Sequence, residues 1–226
     1  MKVHFEKLTS NGGSFHCFER SDSEFPFYWH YHPEFELTLI VDSHGQRLVA
    51  DSVADYGPGD LVLLGPNLPH SWRSGPIKSQ SQAIHRAVVV LFREDFLGER
   101  FFSLSEMEPI SRLLKRSMAG LSFGHTKIGE SVAINLAKLP SLPGPQKLLT
   151  LLSALLDLAG DSNARVLSMN QVQPTCRVED QQRIDAICKY LNNHYQDEID
   201  FAKIASDLYK ARLRSADFLS ELPVAQ

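Results

Sequence analysis

The sequence predicts an α+β chain of more than one domain: a β-rich N-terminal barrel or sandwich, a helical middle and a short all-α C-terminal region. Three observations predict it. Up to about Phe92 the chain alternates short β-type runs with Gly/Pro turns. Beyond Phe92 the apolar period changes to that of a helix. A polar stretch from Gly160 to Val178 then separates a third, shorter helical pattern.

In the first part, Phe35–Val41, Gln46–Ala50, Leu61–Leu64 and Arg86–Phe92 read as strands. Ser43-His44-Gly45, Gly57-Pro58-Gly59 and Gly65-Pro66-Asn67 read as the turns between them, because Gly, Pro and Asn supply the dihedrals that tight turns need. In the middle, Met107, Ile110, Leu114 and Met118 share one helical face, as do Ile128, Val132, Leu136 and Leu139. Pro140–Pro145 ends one helix and starts the next. Over Gln146–Ala159 the residues Leu148, Leu151, Leu152, Leu155, Leu156 and Ala159 form a wide apolar stripe. It requires a partner, either the chain's own β wall or a second subunit. Near the C-terminus, Ile184, Ile187, Cys188, Leu191 and Tyr195 repeat at helical spacing. Phe201, Ile204, Ala205 and Leu208 make a second amphipathic helix, with Asp200 placed to cap it.

Composition narrows the function classes. The 226 residues carry a net charge of −4, so a nucleic-acid surface would have to be concentrated on one element. The N-terminus lacks the apolar core of a secretory signal. The greasiest stretch, Leu148–Ala159, is too short to span a bilayer. Three cysteines far apart, Cys17, Cys176 and Cys188, suit a reducing cytoplasm and argue against a disulfide framework. A cytoplasmic chain without membrane contact is expected.

The chemistry concentrates between His30 and Val41. Strand residues alternate between faces. The even positions are His30, His32, Glu34, Glu36 and Thr38, and the odd positions are Tyr31, Phe35, Leu37, Leu39 and Val41. Such a polar row faces water or, in a closed barrel, a lumen where it converges on a ligand. Downstream, Gly57–Gly59 and Gly65–Asn67 bracket one apolar strand, and His70 follows at once.

This pairing resembles the two motifs of the cupin superfamily. The resemblance implies that His30, His32, Glu36 and His70 share one site. Such a donor set suits a divalent transition metal such as iron, manganese, nickel or zinc. The glycine that the first motif would place soon after the glutamate comes late, at Gly45. Three roles therefore stay open: effector binding, shaping of the barrel mouth, and metal ligation. No resident cofactor is expected, the divalent metal being the one alternative.

Within the cupins, His30-Tyr-His-Pro-Glu-Phe-Glu-Leu-Thr38 and Tyr56-Gly-Pro-Gly-Asp-Leu-Val-Leu-Leu-Gly-Pro-Asn-Leu-Pro-His-Ser-Trp72 look like the sensor domain of AraC/XylS-type transcription regulators. So do Gly120-Leu-Ser-Phe123, Leu139-Pro-Ser-Leu-Pro143 with its following leucine-rich helix, and Gln182–Tyr195 followed by Glu198–Ala205. The resemblance reaches about Lys210. It implies a cupin (double-stranded β-helix) effector barrel at 1–100 and a helical dimerisation segment at 101–160. It further implies a linker at 161–178 and a partial all-α helix-turn-helix domain at 179–226. The function implied is a DNA-binding regulator, a homodimer, that senses a small molecule such as a sugar.

After Lys210 the resemblance stops, where the family would continue into a recognition helix and a second helix-turn-helix. A truncated DNA reader is the expectation, with a frameshift as its source. From Cys176 to Gln226 seven basic side chains face nine acidic ones, a net of −2. Affinity for DNA rests largely on neutralised phosphates. Weak or lost DNA binding is therefore expected, with Lys203, Lys210, Arg212 and Arg214 the candidates for phosphate contact. Two alternatives remain: a sensor or dimerisation partner that acts without DNA, and a cupin metalloenzyme. The second is ranked last, and the chain is expected not to be an enzyme.

Overall fold

A computed structural model describes residues 3–6, 13–76 and 84–168. The chain divides into two compact units, and the one that spans His4–Pro174 holds everything described below. The strands expected at Phe35, Gln46, Leu61 and Arg86 are all present, as β4 (Phe35–Asp42), β5 (Gly45–Val49), β7 (Leu61–Leu64) and β9 (His85–Phe92). Further strands are β1 (His4–Phe5), β2 (Phe15–Asp22), β3 (His30–Tyr31), β6 (Ser52–Tyr56), β8 (His70–Ser74), β10 (Leu121–Ser122) and β11 (Arg165–Val166). They form a five-stranded sheet in the order β1-β3-β8-β5-β6 and a six-stranded sheet in the order β11-β10-β7-β4-β9-β2.

The run read as one strand from His30 is two. β3 pairs with β8, His30 opposite His70. β4 lies in the other sheet, between β7 and β9. The chain crosses from sheet to sheet through His32–Glu34, where Pro33 has no N–H to give to a ladder. Asn67 closes the turn after β7 with a left-handed φ of 60° and donates its N–H to the His32 carbonyl at 2.8 Å. Gly65 is needed just before it: a Cβ there would lie 2.7 Å from the Met118 Cα.

Three helices follow: α1 (Glu108–Arg116), α2 (Lys127–Leu136, capped by the Thr126 hydroxyl accepting from the Gly129 N–H) and α3 (Gly144–Ala159). They cover the outer face of the large sheet. Phe35, Leu37, Leu39, Leu61, Leu63, Val88, Val90 and Phe92 meet Ile110, Leu113, Leu114, Val132, Leu136, Leu151, Ala154, Leu155 and Leu158 in one core. Each fully buried leucine of this kind contributes about 1.5–3 kcal/mol.

One open alternative is decided here, and one expectation changes. The leucine-rich stripe of α3 buries Leu151, Leu155 and Leu158 against the chain's own sheet and helices, leaving Leu149 and Leu156 exposed. The α1–α3 layer shares its core with the β sheets rather than standing apart as a separate segment. The stretch expected to begin a linker at residue 161 is docked instead. Asp161 is buried, and Arg165–Val166 adds a strand antiparallel to β10. The reason is that β10 would otherwise present an unpaired edge on this side. Among the described residues, no helix is long and apolar enough to cross a membrane.

Candidate small-molecule and metal site

The alternation of β4 decides what enters the interior. Its odd residues pack on the helices, so Glu36, Thr38 and Ile40 turn towards the smaller sheet. With Ala87, Val89 and Leu91 of β9 and Phe18 and Arg20 of β2, they form one wall of a cavity of about 540 Å³. The opposite wall is Phe25–Tyr28, His30, Ser71 and Trp72. Five aromatic side chains face the space. A cavity of this size and lining is ordinary for a small-molecule site.

At one end of the cavity lie the four residues singled out in the sequence. The structure brings His30, His32, Glu36 and His70 together, with one donor atom from each within 4.8 Å of all the others. His30 and Glu36 reach the cavity wall. His32 and His70 lie behind them, 2% and 1% exposed. Glu36 Oε2 receives both buried rings, from His32 Nε2 at 3.0 Å and His70 Nε2 at 3.2 Å, and Oε1 accepts the Thr38 hydroxyl at 2.6 Å. Glu34, on the same even-numbered series, is a neighbour rather than a member: its Oε2 stands 3.6 Å from His32 Nδ1, and both atoms are buried without a hydrogen bond.

Two main-chain contacts set the ring orientations. His70 Nδ1 donates to the Leu68 carbonyl at 2.7 Å and His30 Nδ1 to the Tyr28 carbonyl at 2.9 Å. A carbonyl only accepts, so each ring carries its proton on Nδ1; His70 turns its Nε2 to Glu36, and His30 turns its Nε2 to the Glu6 carboxylate at 3.2 Å. For a neutral ring that Nε2 is a lone pair, and His70 then aims it at a carboxylate oxygen. Either a second proton or a cation must lie between them. Fixed Nδ1–H bonds that leave Nε2 free are also how metal-ligating histidines are held. The donor set and the ring orientations fit a divalent transition metal.

Without one, the cluster shares protons unequally. Burial opposes charge on Glu36, but the nearby His70 and the bonds from His32 and His70 outweigh it and hold its carboxyl well below the usual range. Burial likewise opposes charge on His32, and the Glu36 bond, with Glu36, Glu34 and Glu6 nearby, raises it on balance. His30 goes the other way: burial, then repulsion from His70, pushes it down to about 4.

Sequence reasoning missed most of the cavity wall. Phe18, Arg20, Phe25, Phe27, Tyr28 and Trp72 carry no motif, and the signal that could have found β2 is the alternation Phe15, Cys17 against His16, Phe18. Cys17, packed against the helical core, has its thiol pushed up to about 11 by burial. Lys203, Lys210, Arg212 and Arg214, with Cys176 and Cys188, lie outside the described residues.

The described unit is thus a two-sheet β domain with helices on one face and a His₃Glu cluster at its cavity. No protein-family model matches the sequence, and no curated protein matches it. Among solved structures, the chain is similar to ToxT from Vibrio cholerae at 12% identity and a TM-score of 0.44, over 86% of this chain and 71% of that one. It is also similar to the AraC-like transcriptional activator CuxR, at 10% identity and a TM-score of 0.39, over 86% and 62%. A third is a cupin 2 conserved barrel domain protein from Rhodopseudomonas palustris, at 20% identity and a TM-score of 0.29, over 38% and 57%. The chain therefore spans less than two thirds of the last two. At these scores the fold and the site rest on the geometry described above.

Proposed function

We propose that this chain is a ligand-responsive transcription regulator of the AraC/XylS type, whose β domain binds a small-molecule effector in the cavity beside His30 and Glu36. The observation that carries the reading is the cavity itself, about 540 Å³ between the sheets, with aromatic walls and a polar end. The resemblance of the His30–Thr38 and Tyr56–Trp72 motifs to that family supports it. In this reading the role of the unit is binding, not catalysis. Residues 179–226, outside the described residues, carry DNA-reading helices in this reading, and Leu149 and Leu156 contribute to a homodimer contact.

The wall also bears on the effector. Thr38 donates to Glu36, and Ser71 already accepts the Tyr28 N–H. With five aromatic rings on the wall beside Glu6, Arg20 and Glu36, the cavity suits a molecule that has both an apolar body and a polar group. The test is a fluorescence titration of Trp72 with a panel of amphipathic compounds and sugars, repeated on Val89→Phe, which narrows the cavity beside Thr38. Saturable binding that Val89→Phe weakens tenfold or more is expected. Equal binding by both proteins would remove the effector from this cavity. A gel-shift assay at low salt, with and without the effector, then tests the link to DNA.

A second reading concerns the cluster alone: His30, His32, Glu36 and His70 hold one divalent transition metal. The spacing of the four donor atoms, all within 4.8 Å of one another, and the Nδ1–H bond that turns His70 Nε2 to Glu36 favour it. Bound there, the metal would supply a Lewis-acidic anchor for an acceptor group of the effector. Calorimetry with Zn²⁺ on the full chain is expected to give one site, weakened by Glu36→Gln. Heat changes identical in both proteins would exclude it.

A further inference from the structure

The His/Glu cluster is built close to Leu167 and Ser168, the two residues that follow β11. His70 Nδ1 is tied to the Leu68 carbonyl and the His32 carbonyl to the Asn67 N–H, so the 65–68 turn sets the His70 ring and holds the His32 backbone. The side chain of Leu68 sits in a small apolar cluster with Val49, Val62 and Leu64, against which Leu167 and Trp72 pack. Val49 is the residue paired with His70 across β5 and β8.

Leu167 closes this cluster from outside. A Cβ on Gly120 would lie 3.1 Å from Val49 Cγ1 and 3.3 Å from the Leu167 Cβ, so glycine lets both side chains meet over that backbone. The main chain follows: Leu167 N–H donates to the Gly120 carbonyl at 3.0 Å and Ser168 N–H to that of Ala119 at 2.9 Å. The same 117–120 segment grips the turn, as the Gly65 N–H donates to the Ser117 carbonyl at 2.8 Å. One side of the Leu68 turn thus holds the site, and the other holds Leu167 and Ser168.

We propose that Leu167–Ser168 is the output contact of the site: occupancy of the cluster stiffens the 65–68 turn and tightens the docking of this strand. The inference rests on the preceding reading that the cluster belongs to a binding site, and it names how that site signals along the chain. Coupling of this kind is reciprocal, so weakening the strand must weaken binding by the same factor. In sequence, residues 169–226 continue from this strand, so its release or capture is the change they would receive.

Amide hydrogen exchange on the full chain tests it, with Zn²⁺ alone as the probe. Saturating Zn²⁺ is expected to slow exchange at Leu167 and Ser168 about tenfold while leaving Gly129, at the start of α2, unchanged. Leu167→Ala is expected to weaken Zn²⁺ binding about tenfold in calorimetry. Zn²⁺ binding with exchange at Leu167 and Ser168 unchanged would overturn the coupling and leave the metal reading intact. If Zn²⁺ does not bind, the metal reading fails and His70→Gln decides the coupling without it. That variant removes the ring bond to Leu68, and exchange about fivefold faster at Leu167 and Ser168, but not at Gly129, supports the proposal. Exchange equal to wild type at all three overturns it.

Discussion

Replacing Glu36 by glutamine separates the charge of the cluster from its shape. Glutamine keeps the volume and keeps an oxygen for the Thr38 hydroxyl, while an NH₂ replaces the oxygen that now receives His32 and His70. The consequence depends on pH, and its sign follows from the shifts. His32 titrates above its ordinary 6.5 in the folded protein. Its charge–charge stabilisation is complete below 6.5 and is lost as pH rises through the folded value. Glu36 titrates below its ordinary 4.5, so its contribution is present above 4.5 and lost as pH falls through the folded value. The window in which both charges stabilise the fold therefore opens above pH 4.5 and closes above 6.5.

At pH 6 the substitution leaves a buried imidazolium without its partner, which costs about 3–5 kcal/mol. Towards pH 9 the charge on His32 is lost. His70 Nε2 can accept from the new NH₂, His32 can place its proton on Nδ1 towards Glu34, and the cost falls to about 1 kcal/mol. Urea unfolding with a chelator present, followed by the emission of Trp29 and Trp72, measures both values in one unit, because both tryptophans lie in the β domain. A destabilisation that is equal at the two pH values, or larger at pH 9, would refute the ion-pair account of the cluster.

Other perturbations probe the scaffold and its surface. Leu155→Ala, which opens a hole in the shared sheet–helix core, should cost about 2–5 kcal/mol in the same urea assay. Gly65→Ala should destabilise the fold and speed exchange at the Asn67 amide, because the new methyl meets the Met118 backbone rather than a movable side-chain end. Leu149→Glu with Leu156→Glu should leave stability within about 0.5 kcal/mol, since both side chains are exposed. Sedimentation should show the same pair of changes converting a dimer to a monomer, and an unchanged mass would remove α3 from the subunit contact.

Much of this arrangement was legible in the residues themselves. Local patterns carry local information: a period of two along Phe35–Val41 assigns Glu36 to one face and Leu37 to the other whatever the partner sheet. Gly/Pro turns mark β7, and the 3.6 period marks α2 and α3. The residue types at 30, 32, 36 and 70 named their own chemistry. Position in space is another matter, because it depends on long-range pairing. The even spacing of His30 and Glu36 suggested one strand, but Pro33 sends them to opposite sheets. They meet only because β3 pairs with β8 and β4 with β7 and β9.

The apolar stripe of α3 shows the same division. Helical periodicity establishes that one face must be covered, yet burial energy is indifferent to whether the cover comes from the same chain or another. The tertiary structure assigns Leu151, Leu155 and Leu158 to the chain's own core. For Arg165–Val166 local polarity pointed to a linker, and an available strand edge on β10 outweighed it. Sequence alone determined which elements form and which side chains hold the chemistry, because propensity and periodicity act over a few residues. Which faces meet, how the imidazoles turn, and that Leu167 packs behind the turn that holds His70 were decided by contacts between residues dozens of positions apart.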